Sequence, residues 1–168
     1  MQLSQDAAEK RIAELRMDDL PLEQIYPKPH PVAPDWFQKY HELVRQFTTT
    51  LTDSIQEIAF MGLPQQDFID LVMGRRMPEN LSVRFRVPLV WGGKLEIDNL
   101  FMCMTFPHSH NMDRFIIEQA GNESVWLPNP AKKIYIPANM GNGGDGGNAT
   151  EDRFSQLAAQ ISTSHGME

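Results

Sequence analysis

Two histidines separated by one residue, His108 and His110, have the clearest potential for chemistry in this sequence. In an extended backbone, side chains two positions apart share a face, so both imidazoles could bind one metal ion. Glu118 could supply a third ligand, as could Asp113. We therefore take His108, His110 and Glu118 as a candidate metal site. A divalent metal there would make the protein a small hydrolase or oxygenase.

The spacing of these residues resembles the His-x-His and Glu motif of the cupins, in which a β-hairpin follows. It departs from that motif in the gap before Glu118, and no distal third histidine occupies the corresponding position. The alternative interpretation is a polar loop that caps the end of a strand, with Asp113 bonded within a turn.

The single cysteine, Cys103, could be a thiol nucleophile if a histidine lay beside it. However, it lies within the apolar run 101–106, where burial would raise the pKa of the thiol. We predict an inert core residue. Downstream, residues 141–146 match the pattern G-x-G-x-x-G, but too few residues follow to complete a dinucleotide-binding fold, so we predict a linker.

Positive charge is concentrated in residues 74–94, whereas both flanking parts of the chain are acidic and the net charge is −7. From Leu81 to Val87 the apolar residues alternate, which predicts a strand with one apolar face and one face bearing arginines. This face could be solvated, could pair with acidic helices of the same chain, or could bind an acidic partner. The candidate partner-binding residues here are Arg75, Arg76, Arg84 and Arg86.

Residues 55–78 have the outline of a helix-turn-helix. The segment from Met73 to Pro78 resembles the Gly-Arg-Arg-x-Pro segment that follows the recognition helix of phage-repressor-like proteins. The resemblance implies a DNA-binding regulator that uses Gln65, Gln66, Arg75 and Arg76. Two aspartates in the same helix, Asp67 and Asp70, would repel phosphates. The acidic composition also argues against nucleic acid as a partner.

The periodicity of the sequence predicts an α+β fold in which a five-stranded antiparallel meander packs against a long and a short helix. A peripheral N-terminal helix (4–17) is capped by Ser4, and a Pro-rich linker (18–34) follows it. The long helix (35–61) carries an apolar stripe that starts at Phe37, and Pro64 opens the short helix (64–73). The predicted strands are Leu81–Val90, Leu95–Phe106 with a doubly covered second half, Phe115–Gln119, Ser124–Leu127 and Lys132–Ile136.

A Gly-rich linker (139–149) and a peripheral helix capped by Thr150 are predicted to end the chain. Phe154, Leu157 and Ile161 form the apolar stripe of this helix and are further candidate partner-binding residues. The predicted organisation is therefore an N-terminal helix and linker (1–34), a core domain (35–138) and a C-terminal appendage (139–168).

Our leading functional prediction is a non-enzymatic adaptor, chaperone-like protein or assembly subunit. It would bind other protein chains, acidic ones among them, through its terminal helices and its arginine face, because narrow apolar stripes at the ends of a chain favour external partners. Oligomerisation stays open. We expect no resident cofactor apart from the metal that the histidine site would hold. The absence of a long apolar run and of a signal-peptide pattern predicts a cytoplasmic protein without a membrane span.

Overall fold

The computed structural model describes residues 2–59 and 62–137, and the predicted α+β class is confirmed. Its helices are α1 (Gln5–Glu14), α2 (Trp36–Thr49), α3 (Ile55–Ala59), α4 (Gln65–Val72) and α5 (His110–Ile117). Its strands are β1 (Leu22–Ile25), β2 (Leu81–Phe85), β3 (Leu100–Met104) and β4 (Val125–Pro128). The predicted C-terminal linker and helix lie outside the described residues.

The predicted five-stranded meander is wrong, because the described strands form two separate antiparallel pairs, β1 with β4 and β2 with β3. In the second pair, Leu81 lies opposite Met104 and Phe85 opposite Leu100. Strand β3 is covered on both faces, as its composition predicted. Leu100 and Met102 enter one hydrophobic core, while Phe101 and Cys103 enter a second.

The predicted strand Phe115–Gln119 is wrong because all of it belongs to helix α5 or to the turn that ends this helix. Met112 and Phe115 are three residues apart, so they point to the same side of a helix, and both are completely buried. The β-branched residues Ile116 and Ile117 favour a strand locally. Burial of the helical face outweighs that preference.

Strand β4 pairs with β1, which lies within the segment predicted to be a Pro-rich linker. The four residues of β1 carry no proline, so each can take part in a ladder. The predicted last strand, Lys132–Ile136, is reduced to a single parallel bridge from Ile134 to Met102. Pro130 and Pro137 flank this short segment, which limits how far pairing can extend.

The predicted long helix is interrupted by threonines. The hydroxyls of Thr48, Thr49 and Thr50 donate hydrogen bonds to the carbonyl oxygens of the residues three positions earlier, at 3.0, 2.7 and 2.6 Å. Such bonds compete with regular helical bonding and bend helices. Accordingly, α2 ends at Thr49, and a tight 3-10 segment (Thr50–Ser54) connects it to α3.

The first core lies among α2, α3, α4 and the β2–β3 pair, and the second lies among α1, α5, β4 and the other face of β3. Helix α1 begins as predicted, with the N–H of Ala7 donating to the Ser4 hydroxyl at 3.1 Å. The prediction that this helix is peripheral is wrong. Ala8, Ile12 and Leu15 are buried in the second core.

Within the described ranges, we find no helix with the length and apolar character needed to cross a membrane.

Candidate functional site: histidines, arginines and a cationic groove

His108 and His110 do not share a face, because the backbone becomes helical after Phe106, which is itself extended, and continues through Ser109 into α5. His108 is buried and stands edge-on to the ring of Tyr135, with 5.7 Å between ring centroids. Its Nδ1 has no hydrogen-bond partner among the described residues. Burial lowers the pKa of His108. His110 lies at the surface, 6.0 Å from the ring of Phe106.

Glu118 is held by two arginines. Its carboxylate accepts hydrogen bonds from Nε and Nη2 of Arg11 at 2.9 and 2.6 Å, and Nε of Arg114 lies 3.3 Å away. The bonds from Arg11 lower the pKa of Glu118. In the parts of the chain that the structure describes, no three His, Cys, Asp or Glu side chains are grouped to hold a metal. The geometry therefore gives the predicted metal site no support.

Cys103 is completely buried in the second core. Burial raises the pKa of its thiol to about 12. A thiol with that pKa is protonated at neutral pH, and the thiolate is the nucleophilic form. The position of Cys103 accordingly matches the predicted inert core residue.

Arg84 connects strand β2 to the beginning of α5. Its Nη1 donates to the backbone and side-chain oxygens of Ser109 at 3.2 and 2.8 Å, and it lies 2.8 Å from a carboxylate oxygen of Asp113. These contacts fix the α5 terminus, including the turn that carries His108. The side chain of Arg84 is only 15% exposed.

Arg86 attaches the segment after β4 to the sheet. Its Nη1 donates to Asn129 Oδ1 at 3.0 Å and to the carbonyl oxygen of Pro130, and its Nη2 donates to the carbonyl oxygen of Lys132 at 3.2 Å. The guanidinium also lies 5.5 Å from the ring centroid of Phe101. Burial lowers the pKa of Arg86. Arg84 and Arg86 thus have internal partners, and a role for them in partner binding stays a prediction.

Arg75 and Arg76 follow Gly74, whose φ of +69° ends α4 with a left-handed residue. Arg76 pairs with Asp67, and its Nε lies 3.0 Å from Asp70. Arg75 forms a weaker ion pair, with 4.0 Å between its Nη1 and a carboxylate oxygen of Asp70. Because the two aspartates neutralise charge next to the proposed DNA-binding arginines, the geometry does not favour the regulator alternative.

The structure also reveals a groove that our sequence reasoning missed. It lies between α2 and the turn after α4, has a volume of about 180 Å³, and is lined by His41, Val44, Arg45, Thr48, Gly74, Arg75, Arg76 and Met77. We refer to it as the cationic groove. Arg45 is 71% exposed, and its Nη1 lies 4.0 Å from Glu42. The sequence signal was the spacing of Phe37, His41 and Arg45, which recur every four residues along one helical face.

Phe37 belongs to this outer face of α2 and is 55% exposed, so its predicted place in the buried stripe is wrong. Its ring meets that of His41 edge-on at 4.4 Å and that of Trp36 at 5.5 Å. An aromatic cluster therefore adjoins the cationic groove along α2.

Comparisons with protein-family models, curated proteins and solved structures found no match to the chain.

Proposed function

We propose that the protein is a non-catalytic adaptor or assembly subunit that binds an acidic segment of another protein chain. The cationic groove is the observation that carries this proposal. Three arginines from two separate elements line it, and an exposed phenylalanine lies along the same helix. Of the arginines that the sequence pointed to, Arg75 and Arg76 are more exposed than Arg84, and both line this groove. We also retain a cytoplasmic location as part of the proposal.

Charge complementarity supports an acidic ligand. Arg45 and Arg75 each lie 4.0 Å from their nearest carboxylate, at the limit of ion pairing, and both side chains are more than half exposed. Exposed pairs of this kind contribute about 0–1 kcal/mol. A partner carboxylate that makes paired hydrogen bonds to one guanidinium would therefore displace a weak contact in favour of a stronger one.

The internal carboxylates are arranged so that they leave these arginines accessible. Asp70 is 12% exposed and Asp67 is 24% exposed, and both are engaged by Arg76. Arg75 is 58% exposed, so its guanidinium extends further into solvent than the aspartates do. Next to Arg75, an approaching acidic segment would consequently meet a guanidinium before it meets a carboxylate, whereas Glu42 beside Arg45 is 64% exposed.

The aromatic cluster supports a protein ligand over a small anion. Tryptophan, tyrosine and arginine are enriched among the residues that dominate protein interfaces, and aromatic residues are enriched in interface cores. Trp36 and Phe37 precede His41, which lines the groove, by about one helical turn, and the ring of Phe37 contacts that of His41. A segment with both acidic and apolar side chains would use the two features together.

The test is fluorescence anisotropy with a labelled peptide of alternating glutamate and leucine residues, titrated with the full chain at low salt. We expect saturable binding that weakens as salt is added, because screening reduces interactions between exposed charges. The double variant Arg45→Ala/Arg75→Ala should bind at least about tenfold more weakly, which corresponds to roughly 1.4 kcal/mol.

Arg114→Ala is the matched control, since Arg114 is also an exposed helical arginine with a carboxylate neighbour. It removes one positive charge, against the two that the double variant removes, at a different place and should leave the affinity within about twofold, well under 1 kcal/mol. Absence of binding by the unmodified chain, or an equal loss in the control, would refute the proposed function.

A further inference from the structure

The segment between β1 and α2 exposes a row of prolines. Prolines occupy positions 27, 29, 31 and 34, and the structure places no helix or strand residue between 26 and 35. Every side chain from 28 to 34 is exposed except that of Val32, which is half-buried. An exposed proline-rich segment of this length presents both its backbone and its rings to solvent.

The sequence favours polyproline II conformation for residues 26–33, and Pro34 begins the turn that leads into α2. Each proline fixes its own φ near −65°, and the residue before a proline is driven away from helical angles. Tyr26, Lys28, His30 and Ala33 each precede a proline, so nearly every position is constrained. The polyproline II helix has three residues per turn, so residues 28, 31 and 34 share one face.

That shared face has a defined chemistry, with Lys28, Pro31 and Pro34 in the order basic-x-x-Pro-x-x-Pro. All three residues are exposed. The half-buried residues, Pro27 and Val32, belong to the other two faces, which accordingly lie closer to the body of the protein. Lys28 forms no ion pair with any residue in the ranges that the structure describes.

The segment is held in place at both ends and in the middle. Strand β1 precedes it, α2 follows it, and the N–H of Trp36 donates to the carbonyl oxygen of Ala33 at 3.0 Å. Midway, the N–H of His30 donates to the carbonyl oxygen of Val90 at 2.8 Å. A ligand fixed in its bound conformation loses less entropy on binding, so this attachment favours recognition.

We propose that residues 28–34 are a ligand for a polyproline-binding groove on a partner protein. Aromatic residues of that groove would receive Pro31 and Pro34, and an acidic residue beside it would pair with Lys28. This inference is independent of the cationic groove, whose lining includes none of residues 28–34 and which we propose takes an acidic segment rather than a proline-binding domain.

The experiment uses the full chain and a panel of purified SH3 domains that accept basic-x-x-Pro-x-x-Pro ligands, with binding followed by isothermal titration calorimetry. We expect saturable binding to at least one domain. Pro31→Ala/Pro34→Ala should weaken that binding at least tenfold, and Lys28→Glu should weaken it severalfold because the reversed charge faces the acidic residue. Circular dichroism confirms that each variant is folded.

Pro29→Ala is the matched control, because Pro29 is also exposed but belongs to another face of the polyproline helix. It should keep the affinity within about twofold. The inference is overturned if no domain of the panel binds the unmodified chain. It is also overturned if Pro29→Ala loses as much affinity as the double variant, or if Lys28→Glu loses none.

Discussion

Replacing Arg86 by alanine should destabilise the protein strongly even though the residue is only half-buried. The side chain links three backbone or side-chain oxygens of residues 129–132 to strand β2, and it lies against the ring of Phe101. Alanine would remove all of these contacts at once. It would also leave the carbonyl oxygen of Pro130, a buried residue, without this donor.

The expected loss can be worked out contact by contact. The bonds to Asn129 and Pro130 are partly buried and charge-assisted, and such bonds contribute about 1.5 kcal/mol each. The bond to Lys132 is exposed, so water replaces it at little cost. The contact with Phe101 adds about 0.5 kcal/mol. The total is about 3.5 kcal/mol, or a fall in Tm of roughly 7–14 °C for a domain of this size.

Urea unfolding followed by tryptophan fluorescence and by far-UV circular dichroism measures this loss, and coincidence of the two curves checks two-state behaviour. Arg114→Ala is the control, because a single exposed ion pair should change the free energy of unfolding by less than about 0.5 kcal/mol. If Arg86→Ala is no more destabilised than Arg114→Ala, the internal role assigned to Arg86 is wrong, and the residue regains its place as a candidate for partner binding.

Three further outcomes follow from the packing. Gly93→Ala should lower the free energy of unfolding by about 1–3 kcal/mol in the same urea assay, because the added Cβ would lie 1.8 Å from the carbonyl oxygen of Val87. An unchanged urea midpoint would contradict that clash. Ile12→Ala should cost about 2–4 kcal/mol if α1 is packed in the second core, whereas a peripheral helix would lose far less. Burial lowers the pKa of His108 in the folded state. As pH falls, this imidazole is therefore protonated in the unfolded chain before it is protonated in the folded one, so the free energy of unfolding should decrease below about pH 6.5. His108→Phe should reduce that dependence in urea midpoints measured from pH 5 to 8, and an identical profile in the variant would contradict it.

Sequence patterns correctly predicted the elements that are determined by residues close to them in the chain. Strand β3 was predicted because apolar residues occupy both of its faces, and two cores do cover it. The start of α1 was predicted because Ser4 caps it locally. By contrast, Phe115–Gln119 was assigned to a strand because Ile116 and Ile117 favour one, although the spacing of Met112 and Phe115 already matched a helix.

Long-range pairing could not be read from the same patterns. Strand β1 finds its partner β4 about a hundred residues later, and no periodicity within either short segment specifies the other. The position of His108 depends on a similar distant contact, since Arg84 on β2 holds the turn that contains it. Once that turn is helical, the side-chain alternation on which the metal prediction relied no longer applies.

The arginines show why charge in a sequence indicates a surface only after the fold is known. Arg84 lies on strand β2 and Arg86 directly follows it, and both donate to carbonyl oxygens of other segments, so their positive charge is used internally. Arg75 follows the end of a helix and lies beside Arg45, a residue thirty positions earlier on α2. Accessible charge therefore accumulates where two helices meet. The alternating pattern of strand β2 does not indicate the cationic groove. A partner that binds exposed guanidinium groups would contact this groove before it could reach Arg84 or Arg86.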